Sequence, residues 1–302
     1  MRRNGFVSVG DGIDLAYRDH GGDGRTVLLL HGIGGNLETM DQFAERLGNG
    51  VHAVAIDMRG CGRSSDASEL SFDAMSRDIQ VVAEQLALGP LDVIGHSQGG
   101  MVGARYTTTH PEARFVSIDG FAPGHLTIAD EEGRSAHLGW LHGARAQLEA
   151  MTSEPSRGDA GWRDAEEESL RHALAAMGYG APNLDAVAAG HFAELGDGTH
   201  VRHPSRGIVT TAFANLLPDA LVDYRHGHCP TLVIRCTGWA PPPIDDDLDH
   251  VVATTSRPLE LVRMDCTHLA PGWERLDDTI ALIEQFWTRH PVTRSETMPA
   301  GM

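Results

Sequence analysis

Two kinds of apolar pattern alternate along this chain, and they predict different elements. Thr26 to Leu30, Val51 to Ile56, Phe115 to Ile118, Thr231 to Arg235 and Leu259 to Met264 are short, mostly unbroken apolar runs, as expected of strands covered on both faces. Leu91 to Gly100, LDVIGHSQGG, begins in the same way and ends in a glycine-flanked serine. Between these runs the apolar positions recur every three or four residues. Ser71 to Leu88 puts Phe72, Met75, Ile79, Val82 and Leu86 on one helical face, with Ser71 as N-cap and Gly89-Pro90 as the stop. Asp41 to Leu47 predicts a short helix, and Gly99 to His110 a helix ended by Pro111. The closing helix carries Leu276, Ile280, Ile283, Phe286 and Trp287 on its apolar face. Phe6 to Val9 and Ile13 to Arg18 flank Gly10-Asp11-Gly12 and predict a hairpin at a sheet edge. Such alternation predicts an α/β architecture with a doubly wound, mostly parallel sheet.

From about Phe121 to Arg225 the pattern changes to amphipathic helical segments with no clear strand, separated by turns bearing glycine, proline and serine. The expected organisation is therefore a core from residues 1–122 and 226–290, a helical cap over 123–225 inserted after the sixth strand, and a flexible tail over 291–302.

Composition narrows the range of partners. The formal net charge is −18, from 42 acidic and 24 basic side chains, which disfavours phosphate backbones and anionic lipid. No segment has the length and apolarity of a membrane span, and the two arginines near the start precede no apolar h-region. The expectation is a soluble, cytoplasmic protein acting on a small molecule, binding neither nucleic acid nor membrane, with a homodimer left open. Cys61, Cys229, Cys236 and Cys266 are scattered and form no zinc-like spacing. His226-Gly-His228 and the acidic cluster at 245–249 read as solvated loops, so neither a metal nor a cofactor is implied.

The candidate chemistry begins at Gly95-His96-Ser97-Gln98-Gly99, which reads as a nucleophile elbow. There a strand turns sharply into a helix and lifts the serine hydroxyl clear of the sheet. Together with HGIGG at 31–35, DMRGCGRS at 57–64 and the late His268, this motif makes the chain resemble the α/β-hydrolase superfamily. The resemblance covers roughly residues 5–122 and 229–290, and it implies a serine hydrolase branch with a helical cap. A serine hydroxyl needs a base to take its proton, and His268, after the last predicted strand, stands where the family keeps its catalytic histidine. The family's oxyanion hole falls on the backbone N–H groups of Ile33 and Gln98. DMRGCGRS reads as a structural turn braced by Arg59. His31 and His96 read as loop supports, and His191, His200 and His203 as solvated or hydrogen-bonded bystanders.

The acid departs from the commonest family pattern. Most relatives carry it after the strand that follows the cap, where this chain has Trp239-Ala240-Pro241. Two candidates remain: Asp119, directly after FVSI, and Asp245, in an acidic stretch on a longer loop. Asp119 is preferred, because a minority of the superfamily places its acid there. Gln98 after the serine and an acid after the sixth strand are similar to the zearalenone-type lactonases. A serine rather than a carboxylate at the elbow points to acyl chemistry. The expected activity is hydrolysis of a carboxylic ester or lactone through an acyl-enzyme, the alternatives being carbon–carbon bond hydrolysis or a non-catalytic ligand receptor. Candidate pocket walls are Trp140, Trp162, Tyr179, Phe192, Phe213 and Trp239.

Overall fold

The computed structural model describes residues 2–121, 128, 130–152, 154–180, 183–216, 221–238 and 243–291. Eight strands form the main sheet: β1 (Arg3–Ser8), β2 (Asp14–Gly21), β3 (Arg25–Leu30), β4 (Val51–Ile56), β5 (Leu91–His96), β6 (Phe115–Ile118), β7 (Thr231–Cys236) and β8 (Leu259–Met264). Their spatial order is β1-β2-β4-β3-β5-β6-β7-β8. β2 pairs antiparallel with β1 and β4, and the other pairings are parallel.

β3 shows why the unbroken apolar runs became strands. Val27 and Leu29 face one layer of the core and Leu28 and Leu30 the other, and all four are fully buried. Each contributes about 1.5–3 kcal/mol on leaving water, so polar substitution on either face is costly. One core face is covered by α2 (Phe72–Gln85) and α3 (Gln98–Thr107). α1 (Asp41–Leu47) and the closing helix, Leu276–Arg289, cover the other. Ser71 caps α2 as its sequence suggests, accepting from Ala74 N at 3.2 Å. Chain order reverses beside β3, since β4 lies on one side of it and β5 on the other. In an open α/β sheet this switch point leaves a crevice at the carboxyl ends of the strands.

Between β6 and β7 run α4 (Glu131–Ala150), α5 (Ala160–Ala176), α6 (Leu184–Gly190), α7 (Arg206–Ala214) and α8 (Leu221–His226). Three differences from the sequence reading arise here and beyond. A small antiparallel sheet joins Arg157–Gly158, His200–Arg202 and Phe192–Glu194, strands of two or three residues, too short to leave a period-two pattern. α8, expected within the cap, packs on α3 of the core. Its buried Tyr224 hydroxyl lies 2.7 Å from Ser117 Oγ and donates to Gly120 O at 2.6 Å. Finally, the acidic stretch near 245 forms a helix, α9 (Pro243–Thr254), rather than a loop. Its Leu248 and Val251 are fully buried, three residues apart on one face.

Among the described residues, no helix is long and apolar enough to cross a membrane.

Candidate active site

β5 ends at His96, and Ser97 takes φ 53° and ψ −121° before α3 begins at Gln98. This backbone is unfavourable for a residue with a side chain, and it persists only because the surroundings fix it. Close packing supplies that constraint. A Cβ on Gly95 would lie 2.2 Å from Gly99 O, and one on Gly99 would lie 2.4 Å from Leu30 O, so only glycine fits at either place. Ser97 O accepts from Gly100 N at 2.9 Å, which locks the first turn of α3.

Asp119 is held just as firmly. It follows β6 in the left-handed region, φ 47°, a conformation that aspartate tolerates better than most side chains. Ser97 and Asp119 are thus two of the four non-glycine residues with positive φ among those described. Asp119 N donates to Ile234 O at 2.7 Å, and its Oδ1 accepts from Cys236 N at 3.0 Å and Arg235 Nη1 at 3.2 Å. The other oxygen, Oδ2, lies 2.7 Å from His268 Nδ1. Burial pushes the Asp119 carboxyl up, but the hydrogen bond and charge of His268, then Arg235 and Cys236 N–H, outweigh it. The carboxyl therefore stays below its ordinary value and ionised. With Asp119 accepting the Nδ1 proton, His268 Nε2 keeps its lone pair for another proton.

His96 fixes the loop that carries His268. Its Nε2 donates to His268 O at 3.0 Å, and the two rings lie 4.6 Å apart. Burial and the neighbouring His268 bring His96 down to about 3, so it serves as a neutral donor.

Ser97, Asp119 and His268 border a single cavity of about 170 Å3, together with Ile33 and Gln98. Among the described residues, the backbone N–H groups of Ile33 and Gln98 make no intramolecular hydrogen bond. The Gln98 N–H also lies at the positive end of α3, where negative charge is favoured.

Of the wall residues expected from sequence, Trp140, Tyr179 and Phe213 border the cavity. Trp162 and Phe192 do not; they meet edge to face at 6.0 Å in a separate cluster with Leu170 and Val187, burying each other between α5 and α6. Trp239 lies outside the described residues, as does the side chain of Asp245, whose backbone belongs to α9. Sequence reasoning missed Trp273, which meets Tyr179 edge to face at 4.5 Å in the cavity wall, and Arg235 beside the acid. Their signals were present: an aromatic five residues after His268, and a charge closing the apolar run TLVIR.

The motif turns have structural duties. Arg59 grips Asp78 of α2 through two hydrogen bonds, at 2.7 and 2.6 Å, and donates to Glu69 O at 3.0 Å. His31 donates from Nδ1 to Gly32 O at 2.8 Å and accepts from Met58 N at Nε2, bracing the loop that holds Ile33. His191 and His203 are buried and hydrogen-bonded. His191 Nδ1 donates to His203 O at 2.6 Å, and His203 Nδ1 to Gly62 O at 3.1 Å, tying the inserted segment to the core. Among the described residues, no group of three or more His, Cys, Asp or Glu side chains is arranged to hold a metal.

These histidines predict an acid-labile fold. Burial lowers His31 to about 4 and His191 to about 3, while the unfolded chain protonates both near 6.5. Their contribution is present above 6.5 and is lost as pH falls, by roughly 3 kcal/mol for each ring by pH 4. Asp57, raised to about 7 by burial and by Glu38, works in the opposite sense, losing stability as pH rises from 4 to 7. With His96, brought down to about 3 in the same way, three rings outweigh one carboxyl. The urea midpoint is expected to fall between pH 6.5 and 4, and His191→Asn, which keeps a donor near Nδ1, to flatten that fall.

A family model described as alpha/beta hydrolase fold matches residues 25–156. With the sheet order and the elbow, this match gives the chain the α/β-hydrolase fold. The chain is 35% identical over 99 residues to a fluoroacetate dehalogenase from Burkholderia, covering 31% of this chain and 33% of that one. It is 35% identical over 106 residues to an N-formylmaleamate deformylase from Pseudomonas putida, covering 33% and 40%. The match thus spans a third to two fifths of these curated relatives. Over the whole fold, the crystal structure of an E-2-(acetamidomethylene)succinate hydrolase superposes with a TM-score of 0.74 at 20% identity, covering 94% of this chain and 98% of that one.

Proposed function

We propose that this protein is a serine hydrolase that cleaves a carboxylic ester or lactone through an acyl-enzyme on Ser97. The observation that carries the reading is the 2.7 Å contact between Asp119 Oδ2 and His268 Nδ1, in the cavity that the strained Ser97 also borders. In the proposed reaction His268 Nε2 takes the Ser97 proton as Oγ attacks the substrate carbonyl. The N–H groups of Ile33 and Gln98 hold the resulting oxyanion, each donor contributing about 3 kcal/mol to the transition state. Collapse returns the proton from His268 to the leaving alkoxide. Water, deprotonated by the same imidazole, then releases the acid. Asp119 orients the ring and stabilises its protonated form, while Arg235 and Cys236 N–H hold the carboxylate in place.

Fluoroacetate, N-formylmaleamate and E-2-(acetamidomethylene)succinate, the compounds in the names of the similar proteins, carry carboxylate groups.

Covalent catalysis has a kinetic signature. Mixing with a p-nitrophenyl ester is expected to release a burst of nitrophenol equal to the enzyme concentration, ahead of slower turnover. A linear time course with no burst, at substrate concentrations well above KM, would count against an accumulating acyl-enzyme. A panel of lactones and alkyl esters then ranks ester against lactone by kcat/KM.

A further inference from the structure

Resting on the serine hydrolase reading, we propose a substrate class for its cavity: the site takes an uncharged ester or lactone with an apolar body and rejects acyl groups that carry a carboxylate. The cavity walls are largely apolar. α4 turns Trp140, Ala144 and Leu148 toward the cavity, one stripe at helical spacing that its C-cap residue Met151 continues. Met40 and Phe43 from the core also line the cavity, and Met101 of α3 and Met177 after α5 add two more thioethers. Methionines fill irregular space and adjust to differently shaped hydrocarbon, so this lining suits a bulky apolar group of variable outline. Among the described lining residues the polar exceptions away from the reacting atoms are uncharged: Thr39, Tyr179, the indole N–H groups of Trp140 and Trp273, and the exposed Gln147.

Charge decides the rest. The chain contains no lysine, and its cations are 24 arginines. Arg235 is the arginine among the described lining residues. Its side chain is 1% exposed, its Nη1 donates to Asp119 Oδ1 and Cys236 O, and its guanidinium lies 5.5 Å over the Phe121 ring. Thus its charge is matched by the Asp119 carboxylate inside the same site. The undescribed stretches between β6 and β7 hold neither lysine nor arginine. A substrate carboxylate would therefore leave water for a site that already holds the Asp119 carboxylate, in a protein of net charge −18, with no lysine or second arginine among the described lining residues to receive it. An unpaired ion in such surroundings costs several kcal/mol, whereas a methyl group of similar size is stabilised by the apolar walls.

Two fluorophosphonates of equal chain length test this directly. The probes are O-ethyl pentylfluorophosphonate and its analogue with a terminal carboxylate, O-ethyl (4-carboxybutyl)fluorophosphonate, reacted with the whole protein at pH 7.5. The readout is the second-order rate of Ser97 phosphonylation, followed by intact mass and peptide mapping. The neutral probe is expected to react at least about 100-fold faster. Labelling of Ser97 by both probes at equal rates, or faster by the carboxylated one, overturns the substrate class and leaves the hydrolase reading standing. Labelling of Ser97 by neither removes that reading and the inference with it. Met177→Arg supplies a cation at the wall and is expected to narrow the ratio about tenfold, as a charge-assisted contact would. An unchanged ratio in a folded Met177→Arg protein contradicts charge as the cause of rejection.

Discussion

Replacing Ser97 with alanine is expected to lower kcat on a neutral aryl ester by about 10⁵- to 10⁶-fold, with KM little changed. The size follows from the proposed chemistry. Without Oγ no acyl-enzyme forms, and what remains is the residual help that the Ile33 and Gln98 N–H groups give to direct attack by water. Alanine also relieves none of the packing that imposes φ 53° on this position, because the Gly95 and Gly99 contacts persist. The fold should therefore survive, and the loss should appear in kcat rather than in the urea midpoint. Retention of more than about a hundredth of the wild-type rate would assign the chemistry to another group.

Asp119→Asn is the second large effect, with an expected fall of about 10⁴-fold in kcat. The introduced amide can present its N–H₂ to His268 Nδ1, which forces the imidazole into the tautomer that cannot accept the serine proton at Nε2. The same change removes the negative charge that Arg235 faces at 3.2 Å, so stability is measured alongside rate. Asp245→Asn, in α9, is the control and is expected to stay near the wild-type rate. The opposite pattern, with Asp245→Asn the damaging change, would move the acid to the α9 stretch.

These two predictions mark where the sequence was informative and where it was not. The elbow was readable because it needs a rare combination, an apolar run closed by serine between two glycines, and the packing around Gly95 and Gly99 permits nothing larger. The strands and long helices were readable because burial on one or both faces leaves a period in the residues themselves, as in Val27 to Leu30 and Phe72 to Val82. Asp119 could be nominated from its place after FVSI. Its hydrogen bond with His268 is a contact between residues 149 positions apart, and local pattern holds no record of such pairings.

The inserted segment was read least well, for a physical reason. An aromatic side chain looks the same in sequence whether it faces a cavity, as Trp140 does, or a neighbouring helix, as Trp162 does against Phe192. Trp273 and Arg235 enter the site from loop and strand positions whose direction only the assembled sheet determines. α9 was hidden by composition: three prolines and three aspartates read as an open loop, yet Leu248 and Val251 supply an anchoring face that buries it.

The most direct measurement is the location of the acyl group. The protein is mixed with a neutral p-nitrophenyl ester, quenched in acid within the burst, and digested for mass spectrometry. One acyl adduct per chain on the peptide containing Ser97, absent from Ser97→Ala, is the predicted result. Full turnover with no adduct on Ser97, or an adduct carried by another residue and retained in Ser97→Ala, would contradict the account.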